Sequence, residues 1–127
     1  ILERDQESDA EVRRVDQENI NTFGRLNARL YEVRASRDDL KKKLEQIDDA
    51  STELMMGSGD SVLLLLGDAF FECTEEEATE HCEAEADRLQ GTVDELEEEE
   101  SAILEEQGTL KRVLYARFGQ SINLEDK

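Results

Sequence analysis

Three side chains in this 127-residue sequence are the first candidates for chemistry: Cys73, His81 and Cys82. Two thiolates and an imidazole could hold a zinc ion, or a cysteine beside a histidine could act as an activated nucleophile. The spacing supports neither. There is no C-x-x-C and no H-x-x-x-H, and His81 is the only histidine. We expect a small buried thiol and a surface imidazole, with no disulfide framework from only two cysteines. Carboxylates are abundant, yet carboxylates on helix surfaces need no catalytic explanation. No Gly-rich phosphate loop is present. The expectation is a protein that is not an enzyme, holds no metal or cofactor, and works by association.

The stretch that would drive association is Ser61–Cys73, SVLLLLGDAFFEC. Val62, Leu63, Leu64, Leu65 and Leu66 form an unbroken apolar run. Gly67-Asp68 is a two-residue turn signal, and Ala69, Phe70 and Phe71 follow it. This pattern predicts a β-hairpin, with Gly67 supplying the backbone freedom of a tight turn. The run does not alternate, so apolar side chains are expected on both faces. An isolated two-stranded hairpin is marginal in water, and its open edges invite pairing. Nothing else in the chain reads as a strand. The missing strands are therefore expected from other chains.

Composition supports long helical flanks. There is no Pro, no Trp, and 39% of the residues are charged. That suits extended charged helices more than a large globular core, and the length allows at most one ordinary domain. The formal net charge is −19. Thr74–Gln107 carries fifteen acids against one base, Arg88, whereas Glu11–Met56 is nearly balanced, with ten acids and nine bases. Such a chain should be repelled by nucleic acid and by anionic membranes. The longest apolar run has five residues, so no segment reads as a membrane span or signal peptide. Free thiols fit a reducing compartment. The chain opens at Ile1 without Met, so further residues are expected upstream.

Residues 1–10 are acidic and aperiodic, and read as a loose segment or frayed helix. From about Glu11 to Met56 a seam emerges at Phe23, Leu26, Leu30, Val33, Arg37, Leu40, Leu44, Ile47, Ser51 and Leu54. Alternating steps of three and four mark a left-handed coiled coil. At about 1.5 Å per residue this helix is about 70 Å long. Gly57-Ser58-Gly59 stops it. After the hairpin, Thr74-Glu75-Glu76-Glu77 reads as a capping box. A second seam runs through Ala78, Cys82, Glu85, Leu89, Val93, Leu96, Glu100, Ile103, Gln107, Leu110 and Leu114. Phe118-Gly119 ends it, and 120–127 is a short tail.

Two seams of matched length around one hairpin predict a mainly α fold: a long antiparallel two-helix coiled coil with the hairpin at its turn. The natural register lays Leu44 opposite Leu89, Leu30 opposite Ile103 and Phe23 opposite Leu110. Arg37, a cation inside the seam, should be neutralised by Glu100 or Glu97. Lys41-Lys42-Lys43 falls near the acidic stretch Glu95–Glu100, in pairs expected to be exposed and individually weak.

Several segments resemble the prefoldin family, in particular the β-class branch known as subunit 4. They are Asp16-Gln17-Glu18-Asn19-Ile20-Asn21-Thr22-Phe23, Leu44-Glu45-Gln46-Ile47-Asp48-Asp49-Ala50, Gly67-Asp68-Ala69-Phe70, and, most specific, Tyr115-Ala116-Arg117-Phe118-Gly119-Gln120-Ser121-Ile122-Asn123-Leu124-Glu125. The resemblance covers Val15 to the end. One departure is Leu63–Leu66, where relatives carry a more polar strand. The resemblance implies a heterohexamer of two α-class and four β-class subunits, so that this chain's partners would be two α-class and three further β-class subunits. Their hairpins would form a shared β-barrel, with coiled coils projecting from it. Such assemblies bind non-native actin and tubulin and pass them to the cytosolic group II chaperonin without ATP. The implied compartment is the cytoplasm, with the nucleus also open.

Two working regions follow. Val62–Gly67 and Ala69–Phe71 should make the subunit contacts. Val12, Val15, Ile20, Phe23, Leu114, Tyr115, Phe118, Ile122 and Leu124 form a tip where the seam frays, suited to holding apolar segments of unfolded clients. The competing reading is that most of these residues, Phe23 and Leu114 above all and Ile122 and Leu124 least, close the last coiled-coil layers. The competing function is a coiled-coil scaffold or tether subunit that binds no unfolded client.

Overall fold

The computed structural model describes residues 4–57, 62–66 and 69–125. In chain order it holds helix α1 (Arg4–Met55), strands β1 (Val62–Leu66) and β2 (Ala69–Cys73), helix α2 (Glu75–Phe118), and a single 3₁₀ turn over Gly119–Ser121. Helix α1 begins inside the acidic segment read as loose or as frayed helix. Residues 1–10 contain neither Gly nor Pro, and extending a formed helix by one residue is far easier than nucleating one. The chain divides into two compact units, a terminal unit of Ile1–Arg34 with Glu98–Lys127 and a hairpin unit of Ala35–Glu97.

In the terminal unit the core is the seam. Phe23, Leu30, Val33, Ile103 and Leu114 are buried, with Leu114 fully enclosed. Gln107, a seam residue, is also buried, and its Nε2 donates to Asn27 Oδ1 at 3.5 Å. Arg34 Nε donates to Glu100 Oε2 at 2.7 Å. A step of seven residues along α1 from Asn27 to Arg34 is thus matched by seven in reverse along α2, from Gln107 to Glu100. The helices run antiparallel without a slip, in the register expected from the heptads to within a residue.

In the hairpin unit β1 and β2 pair antiparallel over their whole length, from Val62 opposite Cys73 to Leu66 opposite Ala69. The predicted turn residues Gly67 and Asp68 lie outside the described residues. At the start of α2, Thr74 Oγ1 accepts the Glu77 amide at 3.1 Å, and three acids occupy the first turn. This is the predicted cap, and it favours the positive end of the helix dipole. At the end of α1 the Gly57 amide donates to the Leu54 carbonyl at 3.1 Å. A Cβ at Gly57 would collide with the Glu75 carboxylate and lie 3.2 Å from the Leu54 carbonyl. The Glu75 carboxylate is the far end of a flexible side chain, so the Leu54 carbonyl is the firmer limit on a side chain at this position.

The seam of α2 within this unit is Ala78, Cys82, Leu89 and Val93, all buried. The steps from Glu85 to Leu89 and from Leu89 to Val93 are both four residues, so eleven residues span Cys82 to Val93. Eleven residues over three turns locally relaxes a left-handed supercoil. The phase shift divides the place between Glu85 and Ala86, which are both half-buried. Glu85 turns aside to Arg88, accepting from its Nε at 3.1 Å. That hydrogen bond holds the Glu85 carboxyl below its ordinary range and raises Arg88. Arg37 donates Nε to Asp38 at 3.2 Å, while Glu97 meets Lys41 Nζ at 3.8 Å.

Gly24 and Gly91 sit inside helices with nothing within 4 Å of where a Cβ would be. Alanine should fit both without strain. Gly24→Ala and Gly91→Ala are each expected to stabilise the helices by about 0.5–1 kcal/mol. Thermal unfolding followed by circular dichroism checks this, and an unchanged or lower midpoint would show that packing at these sites is tighter than it looks.

Candidate interaction surfaces

The first surface is the hairpin. Among the described residues each strand pairs only with the other, so both outer edges lack a partner. The register sets Leu64 opposite Phe71 and Leu65 opposite Phe70. Eight of the nine residues expected to make subunit contacts, Val62, Leu63, Leu64, Leu65, Leu66, Ala69, Phe70 and Phe71, lie on these two strands. The ninth, Gly67, lies outside the described residues. A row of unpaired amides and carbonyls beside apolar residue types can accept further strands.

The second surface lies in the terminal unit, where the residues expected at the tip fall into three classes. Val12 and Val15 are exposed. Ile20, Tyr115, Phe118, Ile122 and Leu124 are half-buried. Phe23 and Leu114 are buried and complete the coiled-coil core. The apolar groups within reach of a partner in this conformation are thus the first two classes.

Helix α2 ends at Phe118 and the chain turns back at once. Gly119 takes a positive φ of 58°, the left-handed conformation that glycine adopts without the usual Cβ penalty. Ser121 Oγ donates to the Phe118 carbonyl at 2.5 Å, and Ile122 is extended. The tail then returns to α2. The Leu124 amide donates to Tyr115 Oη at 3.1 Å, and Tyr115 Oη donates to Glu125 Oε1 at 3.4 Å. Lys111 Nζ meets the same carboxylate at 3.3 Å. The short tail is tied to the flank of α2 by one tyrosine and one lysine.

A contact absent from the expectations ties the two helices together here. Arg117 Nη2 donates to Asp16 Oδ2 at 2.9 Å and Nε reaches the same oxygen at 3.1 Å. The Asp16 side chain is only 8% exposed, against 47% for Arg117. The guanidinium also lies 5.9 Å from the Phe118 ring centroid, within cation–π range. The sequence held a signal for this pair. Asp16 keeps the seam spacing below Asn19 and Phe23, and the predicted register extended by two layers brings it opposite Arg117.

Further along, Arg29 grips Glu99 through two bonds, Nε to Oε2 at 2.5 Å and Nη2 to Oε1 at 2.8 Å. The hydrogen bond to Arg29 holds Glu99 below the usual carboxylate range, and Arg29 is raised in return, chiefly by Glu99. As for the candidate ligands, His81 and Cys73 are half-buried and Cys82 is buried. Among the described residues no group of three His, Cys, Asp or Glu side chains is placed to hold a metal ion. No described helix is long and apolar enough to cross a membrane.

Comparison with known proteins points one way. The family model described as prefoldin subunit matches residues 17–121. Prefoldin subunit 4 of Homo sapiens is 34% identical over 119 residues, covering 92% of this chain and 89% of that protein. Prefoldin subunit 4 of Saccharomyces cerevisiae is 30% identical over 126 residues, covering 98% of each. Among solved structures, the prefoldin beta subunit from Thermococcus strain KS-1 superposes with a TM-score of 0.72, covering 80% of this chain and 90% of that one at 16% identity. That last likeness speaks to the fold.

Two outcomes are expected from the ion pairs. Arg117→Ala strands a buried carboxylate, whereas Asp16→Ala leaves a guanidinium that water can reach. The first should therefore destabilise more than the second, by about 1–3 kcal/mol. Chemical denaturation of both variants checks the order, and equal losses would mean that Asp16 is hydrated. For Arg29–Glu99, the folded carboxyl titrates below its unfolded value. Its contribution is complete above the ordinary carboxylate range and is lost as pH falls through the lowered value. The difference in melting temperature between wild type and Arg29→Gln should close on acidification, and a difference that persists in acid would assign it to packing.

Proposed function

The chain belongs to the prefoldin family, and we propose that it serves as a β-class subunit of a heterohexameric co-chaperone. In this reading it assembles with two α-class and three further β-class subunits through β-barrel pairing of its hairpin. It holds non-native actin and tubulin at its coiled-coil tip and passes them to the cytosolic chaperonin without ATP. The observation that carries the reading is a two-stranded sheet whose outer edges have no partner among the described residues, joined in sequence to two long helices that bury part of their own seam. Such edges invite added strands from neighbours, which exchange hydrogen bonds to water for a continued ladder. The helices cover much of their seam within the chain, and in this reading the hairpin serves assembly and the terminal apolar groups serve clients.

The tip fits weak, repeated contact. Val12 and Val15 are exposed, and Ile20, Tyr115, Phe118, Ile122 and Leu124 add half-covered apolar surface. Patches this small bind weakly one at a time. Presented by several subunits to one client, they gain by multivalency. The conformation described here keeps Phe23 and Leu114 in the core, so in this reading they support the tip more than they touch a client.

Phe70→Asp or Leu64→Asp is expected to abolish assembly while leaving the helices formed, since burying each large side chain is worth about 1.5–3 kcal/mol. Co-purification of either variant with its partner subunits at wild-type level would refute the assembly role. Removing the residues after Gly119 should leave the assembly intact and weaken its suppression of denatured-actin aggregation. Unchanged suppression would count against the tip. An assembled complex that retains no denatured client at all would support a scaffold or tether instead.

A further inference from the structure

Met55 and Met56 are the only methionines in the chain. They are also its most exposed large apolar residues among those described, at 84% and 82%. They do not sit on a frayed end. The Met56 amide donates to the Glu53 carbonyl and the Gly57 amide to the Leu54 carbonyl, each at 3.1 Å. The last turn of α1 is therefore closed, and both side chains are held where the seam stops. Leu54, the residue before them, is half-buried. Two adjacent large apolar groups on a fixed turn, left uncovered by the described residues, mark a contact surface.

We infer that Met55 and Met56 form a second subunit contact, covered by the neighbouring prefoldin subunit that also pairs with the hairpin. This rests on the assembly reading above and adds residues outside the strands to it. Continuity supports it, because only residues 57–61 separate Met56 from β1, whose outer edge has no partner among the described residues. Charge defines which neighbour. Exposed Glu53, Glu76 and Glu77 lie at this end of the hairpin unit, and the whole chain carries −19. A second copy would set like charges against one another. The occupant is therefore a non-identical subunit, with an apolar face for the two thioethers and basic side chains at its rim for the glutamates. Methionine suits the task because an unbranched, polarisable side chain adapts to whatever shape the neighbour presents.

The test uses oxidation by hydrogen peroxide. With only two methionines, every sulfoxide appears in the intact mass, and peptide mapping assigns it to Met55 or Met56. In the complex reconstituted with its other subunits, both should oxidise several-fold more slowly than in the isolated chain. The double variant Met55→Gln, Met56→Gln should keep its helical circular dichroism and bind its neighbours about tenfold more weakly. Assembly with both methionines oxidising at the isolated rate would overturn the inference and leave the assembly reading standing. Protection in a homodimer of this chain would overturn the non-identical partner. Failure of the wild type to assemble with any other subunit would overturn the assembly reading, and the inference with it.

Discussion

Burial of a narrow apolar seam between α1 and α2 is the constraint on which everything else depends. Over Thr74–Gln107 the second helix carries fifteen acids against one base, and like charges on neighbouring turns oppose helix formation. Cations on α1 offset part of that. Within the terminal unit Arg29 and Arg34 reach Glu99 and Glu100, and within the hairpin unit Lys41 reaches Glu97. Most of these pairs are exposed and individually weak. More stability comes from the removal from water of Leu30, Val33, Ile103 and Leu114 in one unit and of Ala78, Cys82, Leu89 and Val93 in the other. A chain whose apolar residues go mostly to a seam leaves few uncovered, and Val12, Val15, Met55 and Met56 are among those few.

Polar residues inside the seam serve a different purpose. Asp16 and Gln107 are buried, and each has a partner across the helix pair, Arg117 and Asn27. A buried polar group tolerates only the register that satisfies it, because any slip leaves it unpaired at a cost that a shifted leucine does not incur. These two layers bracket Phe23 and Leu114. They give the terminal unit a single alignment where leucine layers alone would allow several.

The tail obeys similar logic over a shorter distance. A left-handed glycine reverses the chain, and one tyrosine hydroxyl satisfies the backbone of the returning segment. The apolar tail residues are thereby held half-covered instead of trailing in water. A group held in this way has already lost much of the conformational freedom of a free end.

Much of this was legible in the residues. The hairpin, both helices and the cap at Thr74 follow from periodicity and turn signals, which are properties of one segment at a time; the antiparallel register follows from matching the two seams, and the resemblance to prefoldin rests on specific segments such as Tyr115–Glu125. The step pattern around Glu85 was also present in the numbering. Which of Glu85 and Ala86 would fill the phase-shifted place was not, since it depends on Arg88 and on the facing helix together. The tertiary structure decided between core and tip for Phe23 and Leu114, turned the seam position of Asp16 into an ion pair with a residue 101 positions away, and returned the tail to Tyr115. Periodicity states which face of a helix will be covered. What covers it, and how completely, is settled only when two surfaces meet and each buried polar atom takes the partner within reach.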